Sequence, residues 1–215
     1  MRYLKNSDAV SAELDSLLKE KKKIVLVIDG RCGAGKTTLA AQLQELYQAD
    51  VIPMDHFFLR PAQRTEARLA EPGGNIDYER FADEVLEKLP AATAFSYRPY
   101  NCSTQEYDPP IAVKPGRLSI IEGSYSMHPR LHEQYALRFT EDEVFILKAF
   151  LTVNTEEQHK RIAERSPGKL EQYIKQWIPM EERYFKAFNI EETCDLVLDT
   201  GQNHLFLNPK KNNHE

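Results

Sequence analysis

The sequence predicts an α/β domain in which a parallel β-sheet carries helices on both faces. Short apolar runs typical of buried strands alternate along the chain with longer segments whose apolar residues recur at helical spacing. A glycine-rich motif joins the first of these runs to a long helical segment. The length of 215 residues suits one such domain with a small insertion, and the hydrophobic share of 41% is enough for a core.

The domain organisation follows from the order of the elements. Residues 1–22 are expected to form an N-terminal helix that packs on the sheet edge, residues 23–200 the main domain and residues 201–215 a polar tail. Residues 93–115 combine short strand-like runs with a polar, aromatic-rich segment, which indicates an inserted β-hairpin. Strands are predicted at residues 24–28, 50–55, 118–123, 145–153 and 196–199, and helices at residues 37–47, 75–89, 128–137, 155–165 and 170–188, the last kinked at Pro179.

The first strand leads into a phosphate-binding motif. Residues 30–37 fit the pattern G-x-x-x-x-G-K-[ST] between a strand and a helix, as in a P-loop. The glycines let backbone N–H groups approach a β-phosphate, and the following helix adds the positive end of its dipole. Lys36 supplies a charge for the β- and γ-phosphates, and the Thr37 hydroxyl suits Mg²⁺. The predicted nucleotide-binding residues are Gly30, Arg31, Cys32, Gly33, Ala34, Gly35, Lys36, Thr37 and Thr38.

Two further carboxylates follow predicted strands, at the sheet edge where ligands of such folds bind. Asp55 ends the second strand, which we expect beside the P-loop strand, and it is the best candidate for the base that deprotonates an acceptor hydroxyl. The alternative is a cap for the following turn. Glu122 ends an apolar strand and is a candidate Mg²⁺ partner, or otherwise a carboxylate at the rim. Thr37, Glu122 and Asp55 are the candidate metal ligands.

Composition excludes several other classes of function. The net charge of −5 and the absence of a long basic run argue against a nucleic-acid partner. No segment has the length and apolarity of a membrane span, so we expect no membrane partner. The three cysteines are widely spaced and show no metal-binding pattern, which is typical of reduced thiols in a cytoplasmic protein. Self-association into a homo-oligomer is left open.

Taken in order, these motifs resemble the uridine kinase and phosphoribulokinase branch of the P-loop kinases. The resemblance spans residues 24–199 and rests on the P-loop and on Met-Asp-His-Phe-Phe at 54–58, Gly-Gly-Asn-Ile-Asp-Tyr-Glu-Arg-Phe at 73–81, Ile-Glu-Gly at 121–123 and Lys-Arg-Ile-Ala-Glu-Arg at 160–165. It implies a three-layer P-loop NTPase fold of the nucleoside and nucleotide kinase type, with a short lid at residues 165–170.

The resemblance also implies roles for individual residues. Asp55 matches the acid that takes the hydroxyl proton, Asp77 the acid that holds ribose hydroxyls, and Tyr97 the hairpin aromatic that contacts the base. Arg161 and Arg165 match arginines that hold sugar and phosphates near the lid, so Asp55, Lys36 and Arg165 are the expected catalytic residues. From the residues alone, Asp77 could equally begin a helix, Tyr97 could be an ordinary hairpin aromatic, and the arginines could lie on a solvated helix face.

The sequence therefore predicts an ATP- or GTP-dependent, Mg²⁺-dependent kinase for a primary hydroxyl of a small molecule. The resemblance favours the 5′-hydroxyl of uridine or cytidine as acceptor. Cys102 stands where the family carries a base-reading histidine, so a sugar phosphate, a pantothenate-like alcohol or a modified nucleoside is an alternative. A nucleotide-binding regulator or slow NTPase is the alternative of a different class.

Overall fold

The computed structural model describes residues 5–91, 93–139, 144–202 and 204–207. The strands are β1 (Ile24–Gly30), β2 (Asp50–Pro53), β3 (Phe95–Tyr97), β4 (Tyr100–Asn101), β5 (Glu106–Tyr107), β6 (Ile111–Val113), β7 (Leu118–Glu122), β8 (Phe145–Thr152), β9 (Leu196–Asp199) and β10 (His204–Leu207). The helices are α1 (Lys5–Glu20), α2 (Lys36–Tyr47), α3 (Glu66–Ala70), α4 (Tyr78–Phe81), α5 (Pro129–Arg138), α6 (Thr155–Arg165), α7 (Leu170–Gln172) and α8 (Ile178–Phe188).

A six-stranded sheet with the order β10-β9-β8-β1-β7-β2 organises the molecule. Its first five strands in the chain, β1, β2, β7, β8 and β9, are parallel, and β10 is an antiparallel edge strand. β1 lies in the middle, and all seven of its residues are buried. A strand that is covered on both faces needs apolar side chains throughout, which explains the unbroken apolar run that precedes the P-loop.

Alternate side chains of β1 supply the two cores of a three-layer fold. Val25 and Val27 pack with residues of α4, α5 and α8 on one face of the sheet. Ile24, Leu26 and Ile28 pack with residues of α1 and α2 on the other. This arrangement confirms the predicted α/β fold with helices on both faces.

The inserted segment and the last helical run follow the sequence pattern. β3 pairs with β6 and β4 with β5, both antiparallel, so the chain turns back on itself between residues 93 and 115. Between α7 and α8 the helical run widens into a π-helical turn at Tyr173–Trp177, just before the predicted kink at Pro179. A proline has no N–H to continue the i to i−4 ladder, which accounts for irregular geometry at this point.

The structure differs from the sequence expectations at several places. β2 does not lie beside β1, because β7 is inserted between them. α1 contacts the edge strand β10, as expected, and it also packs with α2 on one face of the sheet. Residues 204–207 of the expected tail form β10, while residues 1–4 and 208–215 lie outside the described part of the chain. Within the described ranges, no helix has both the length and the apolarity that a membrane crossing requires.

Candidate active site

The P-loop joins β1 to α2 at the centre of the sheet edge. Gly30 has a φ of +133°, and a Cβ at this position would lie 2.1 Å from the carbonyl oxygen of Leu151. Gly35 caps α2 with a φ of +91°, so the loop enters the helix through a left-handed residue. Lys36 Nζ donates to the carbonyl oxygens of Gly30 and Arg31 at 2.6 and 3.0 Å. The Lys36 side chain thus lies along the same loop that is predicted to bind phosphates.

A cavity of about 530 Å³ opens in front of this loop. Its walls include five of the candidate site residues, which come from four separate segments of the sequence. They are Lys36 and Thr37 from the P-loop, Asp55 after β2, Glu122 at the end of β7 and Arg165 at the end of α6. A volume of this size falls within the range of small-molecule sites.

The alignment of two parallel strands places Asp55 near Glu122. Pro53 of β2 is in register with Glu122 of β7, and the next residues of β2 turn into a 3₁₀ helix, Met54–Phe57, that carries Asp55. Asp55 is exposed in the cavity, so an acceptor can reach its carboxylate. Burial raises the pKa of Glu122, the nearby Asp55 raises it further, and Lys36 opposes both effects.

Thr37 and Glu122 form an oxygen pair that fits Mg²⁺. The Thr37 hydroxyl lies 3.3 Å from each carboxylate oxygen of Glu122, which is only 6% exposed. Adjacent ligands of an octahedral magnesium ion lie about 3 Å apart, so both oxygens could bind one ion with little movement. Among the described residues, no group of three His, Cys, Asp or Glu side chains is placed to hold a metal. Magnesium sites of this type need only one or two carboxylates, because phosphates and water complete the shell.

Asp77 and Tyr97 do not line this cavity. Asp77 is 2% exposed and caps α4 by accepting from the Arg80 backbone N–H at 3.1 Å, while its second oxygen accepts from Gln63 Nε2 at 2.9 Å. Tyr97 is also 2% exposed, and its hydroxyl bonds to His56 Nδ1 at 2.9 Å. Both side chains are occupied by contacts within the protein, as the structural alternatives for these residues anticipated.

Arg161 also lies outside the cavity, although Arg165 lines it. The Arg161 guanidinium donates to the hydroxyl and carbonyl oxygens of Thr200 at 2.9 and 3.1 Å and to the Gly33 carbonyl at 3.3 Å. It therefore ties the back of the P-loop to the end of β9. Arg165 is exposed and donates to the Tyr173 hydroxyl at 3.0 Å.

The remaining loop residues make contacts behind or beside the phosphate position. Arg31 donates to the Thr152 hydroxyl at 3.1 Å and pairs with Glu182. Cys32 is buried, and burial together with the nearby Glu181 raises the pKa of its thiol to about 12. Because the thiolate is the reactive form of cysteine, this raised pKa makes Cys32 a weak nucleophile near neutral pH.

Sequence reasoning missed Asp29, a buried carboxylate directly before the P-loop. Asp29 accepts from the backbone N–H groups of Gly30, Tyr125 and Met127 and from the Tyr184 hydroxyl, at 2.7 to 3.2 Å. It joins the loop to the segment after β7 and to α8. Burial raises its pKa to about 6, although Lys36 and the hydrogen bonds act in the opposite direction. The signal was available, because Asp29 ends an apolar strand as Glu122 does.

Other missed residues come from the last helical run, where no motif marks them. Tyr173, Trp177 and Glu181 line the cavity from the π-helical turn and the first turn of α8. Tyr173 and Trp177 pack edge to face with ring centroids 4.3 Å apart. Residues 173–181 therefore line one side of the cavity, and we call residues 165–181 the lid segment, which the sequence had placed only at residues 165–170.

Comparison with known proteins confirms the fold. No family model matches the chain, and no curated protein matches its sequence. The structure is similar to that of a possible uridine kinase from Bacillus stearothermophilus, with a TM-score of 0.65, 18% identity, and coverage of 90% of this chain and 97% of that one. It is also similar to D-glycerate 3-kinase from Cryptococcus neoformans var. grubii, with a TM-score of 0.56, 13% identity, and coverage of 93% and 95%. The chain therefore has a P-loop NTPase fold that is shared with small-molecule kinases.

Proposed function

We propose that this protein is a kinase that transfers the γ-phosphoryl group of ATP or GTP to a hydroxyl group of a small molecule, with Mg²⁺ as the metal ion. The observation that carries the proposal is the convergence of Lys36, Thr37, Glu122 and Asp55 on one cavity. A phosphate-binding loop and a metal ligand serve any nucleotide-binding protein. The accessible carboxylate of Asp55 can in addition take the proton of an acceptor hydroxyl, a role that a nucleotide-binding regulator does not need.

Phosphoryl transfer requires from the protein mainly the correct positioning of the reactants and the stabilisation of negative charge. The acceptor oxygen attacks the γ-phosphorus while the bond to the β,γ-bridging oxygen breaks, and Asp55 receives the hydroxyl proton as the nucleoside diphosphate leaves. Lys36 and Arg165 balance the negative charge on the transferring group. Thr37 and Glu122 would hold Mg²⁺, which supplies further charge stabilisation between the β- and γ-phosphates when it is bound.

The identity of the acceptor is the open part of the proposal. A pyrimidine nucleoside is the acceptor that the sequence resemblance favours. The internal contacts of Asp77 and Tyr97 favour a different primary alcohol, because the residues expected to read ribose and base have other partners. Arg165 is exposed on the cavity wall, so an alcohol that bears a phosphate or carboxylate group would suit it.

The test is ADP release with MgATP in the presence of separate acceptors: uridine, cytidine, sugar phosphates and hydroxy acids. We expect one of them to stimulate ADP release. Asp55→Asn should reduce the stimulated rate by about a hundredfold or more. Glu171→Gln, at a carboxylate that is exposed on the lid surface, is the matched control and should leave turnover unchanged. Binding of ATP without stimulation by any acceptor would contradict the kinase proposal and favour a regulator.

A further inference from the structure

A buried carboxylate lies on the P-loop. Glu181, in the first turn of α8, is 5% exposed, and its Oε2 accepts a hydrogen bond from the backbone N–H of Cys32 at 3.0 Å. Its Oε1 accepts from the Ser124 hydroxyl at 2.5 Å. A carboxylate held by a P-loop N–H presents negative charge and acceptor oxygens, as a phosphate would at the same place.

This contact lies at the cavity that we propose for the phosphate chain, since Cys32 and Glu181 both line it. The N-terminus of α2 and Lys36 would hold the β-phosphate, and Thr37 and Glu122 would hold a metal ion that offsets the negative charge of the phosphates. Ser124, which holds Glu181, follows Glu122 by two residues in the chain and lines the same cavity. Glu181 therefore shares one cavity with Glu122 and with Asp55, the proposed base for the acceptor.

We propose that Glu181 is a placeholder for the γ-phosphate, which closes the nucleotide-free site and is displaced when a nucleoside triphosphate binds. The inference rests on the proposed nucleotide binding and goes beyond it, because it concerns how the site distinguishes triphosphate from diphosphate. The γ-phosphate and Glu181 compete for the Cys32 N–H, and two anions side by side in a partly buried site repel each other. A diphosphate leaves the Glu181 contact in place.

Displacement of Glu181 would also move the lid. Trp177 lies one helical turn before Glu181, lines the cavity and packs on Tyr173, whose hydroxyl accepts a hydrogen bond from Arg165. A π-helical turn lies between α7 and α8, and such turns are frequent at functional sites. Release of Glu181 by a triphosphate therefore provides a route by which binding repositions Arg165 over the transferring group.

The experiment measures the binding of MgADP and of the Mg²⁺ complex of β,γ-imido-ATP, which cannot transfer its phosphate, to the wild type and to Glu181→Gln. Glutamine keeps an oxygen for the Cys32 N–H and removes the charge. We expect the variant to bind the triphosphate about tenfold more tightly and to bind ADP as the wild type does, because only the triphosphate meets the repulsion. Glu171→Gln, an equal charge change on the exposed side of the same helical run, should alter neither affinity.

Trp177 is the only tryptophan in the chain, so its fluorescence reports movement of the lid in the same samples. We expect its emission to change when the wild type binds the triphosphate analogue and to stay constant when it binds ADP. Equal changes in the affinity for both nucleotides, or none, would overturn the inference while leaving nucleotide binding intact. Failure of the wild type to bind either nucleotide would overturn the proposed function and this inference together.

Discussion

Replacing Asp77 by alanine separates a structural role of this carboxylate from the ribose-binding role that the sequence resemblance implies. The side chain caps α4, accepts from Gln63 and lies 3.8 Å from Arg80 Nε. Loss of an N-cap costs about 1 kcal/mol of unfolding free energy. The half-buried amide of Gln63, left without its partner, costs up to about 1 kcal/mol more. We therefore expect Asp77→Ala to be destabilised by about 2 kcal/mol.

The assay is thermal unfolding followed by circular dichroism, together with ADP release in the presence of the acceptor. For a chain of 215 residues, a loss of 2 kcal/mol corresponds to a decrease in Tm of about 4 to 8 °C. Asp77→Asn keeps a capping oxygen and should lose less than about 1 kcal/mol. Asp83→Ala, at an exposed carboxylate that follows α4, is the control and should change the unfolding free energy by less than about 0.5 kcal/mol. An unchanged Tm in Asp77→Ala, combined with loss of acceptor stimulation, would refute the structural role.

Three further predictions concern the P-loop and its carboxylates. Gly30→Ala should prevent stable folding or nucleotide binding, since its Cβ would lie 2.1 Å from the Leu151 carbonyl oxygen. A soluble variant that binds ATP normally would contradict this close approach. Because the pKa of Asp29 is raised to about 6 in the folded protein, the stability that its protonated form contributes is complete below pH 4 and is lost as the pH rises to about 6, by up to about 1.4 kcal/mol per pH unit. Urea unfolding at several pH values should show this dependence in the wild type and not in Asp29→Asn. The raised pKa of Glu122 predicts that Mg²⁺-dependent turnover falls on acidification at a higher pH than it would with an ordinary carboxylate. Glu122→Gln should raise the Mg²⁺ concentration needed for half-maximal turnover, and equal Mg²⁺ dependence in the two proteins would exclude Glu122 as a ligand.

The predicted site residues divide according to how their positions were inferred. Lys36, Thr37, Asp55 and Glu122 converge because each lies at or just beyond the carboxyl end of a parallel strand, and such ends meet at one edge of a sheet. Arg165 joins them from the end of α6. For the four residues that follow strands, local position in the sequence was enough to predict their convergence, whereas the role of Arg165 came from the resemblance.

Three other residues whose roles came from the resemblance lie outside the cavity: Asp77, Tyr97 and Arg161. A motif such as Asn-Ile-Asp-Tyr-Glu-Arg-Phe places Asp77 at the start of a helix, where a side chain can serve either the backbone or a ligand. The choice depends on Gln63 and Arg80, and Gln63 belongs to a different local segment. Arg161 is similar, because its partner Thr200 lies 39 residues away in the chain.

The sequence by itself determined the alternation of strands and helices, the buried central strand and the phosphate-binding loop, because these depend on apolar periodicity and on glycines that act within a few residues. The tertiary structure alone decided that β7 separates β1 from β2 and that Glu181 reaches the backbone of Cys32. Strand order and contacts between distant segments depend on the packing of whole layers, which no local pattern encodes. The proposed nucleotide site could therefore be predicted from the sequence, whereas the contact of Glu181 with the loop could not.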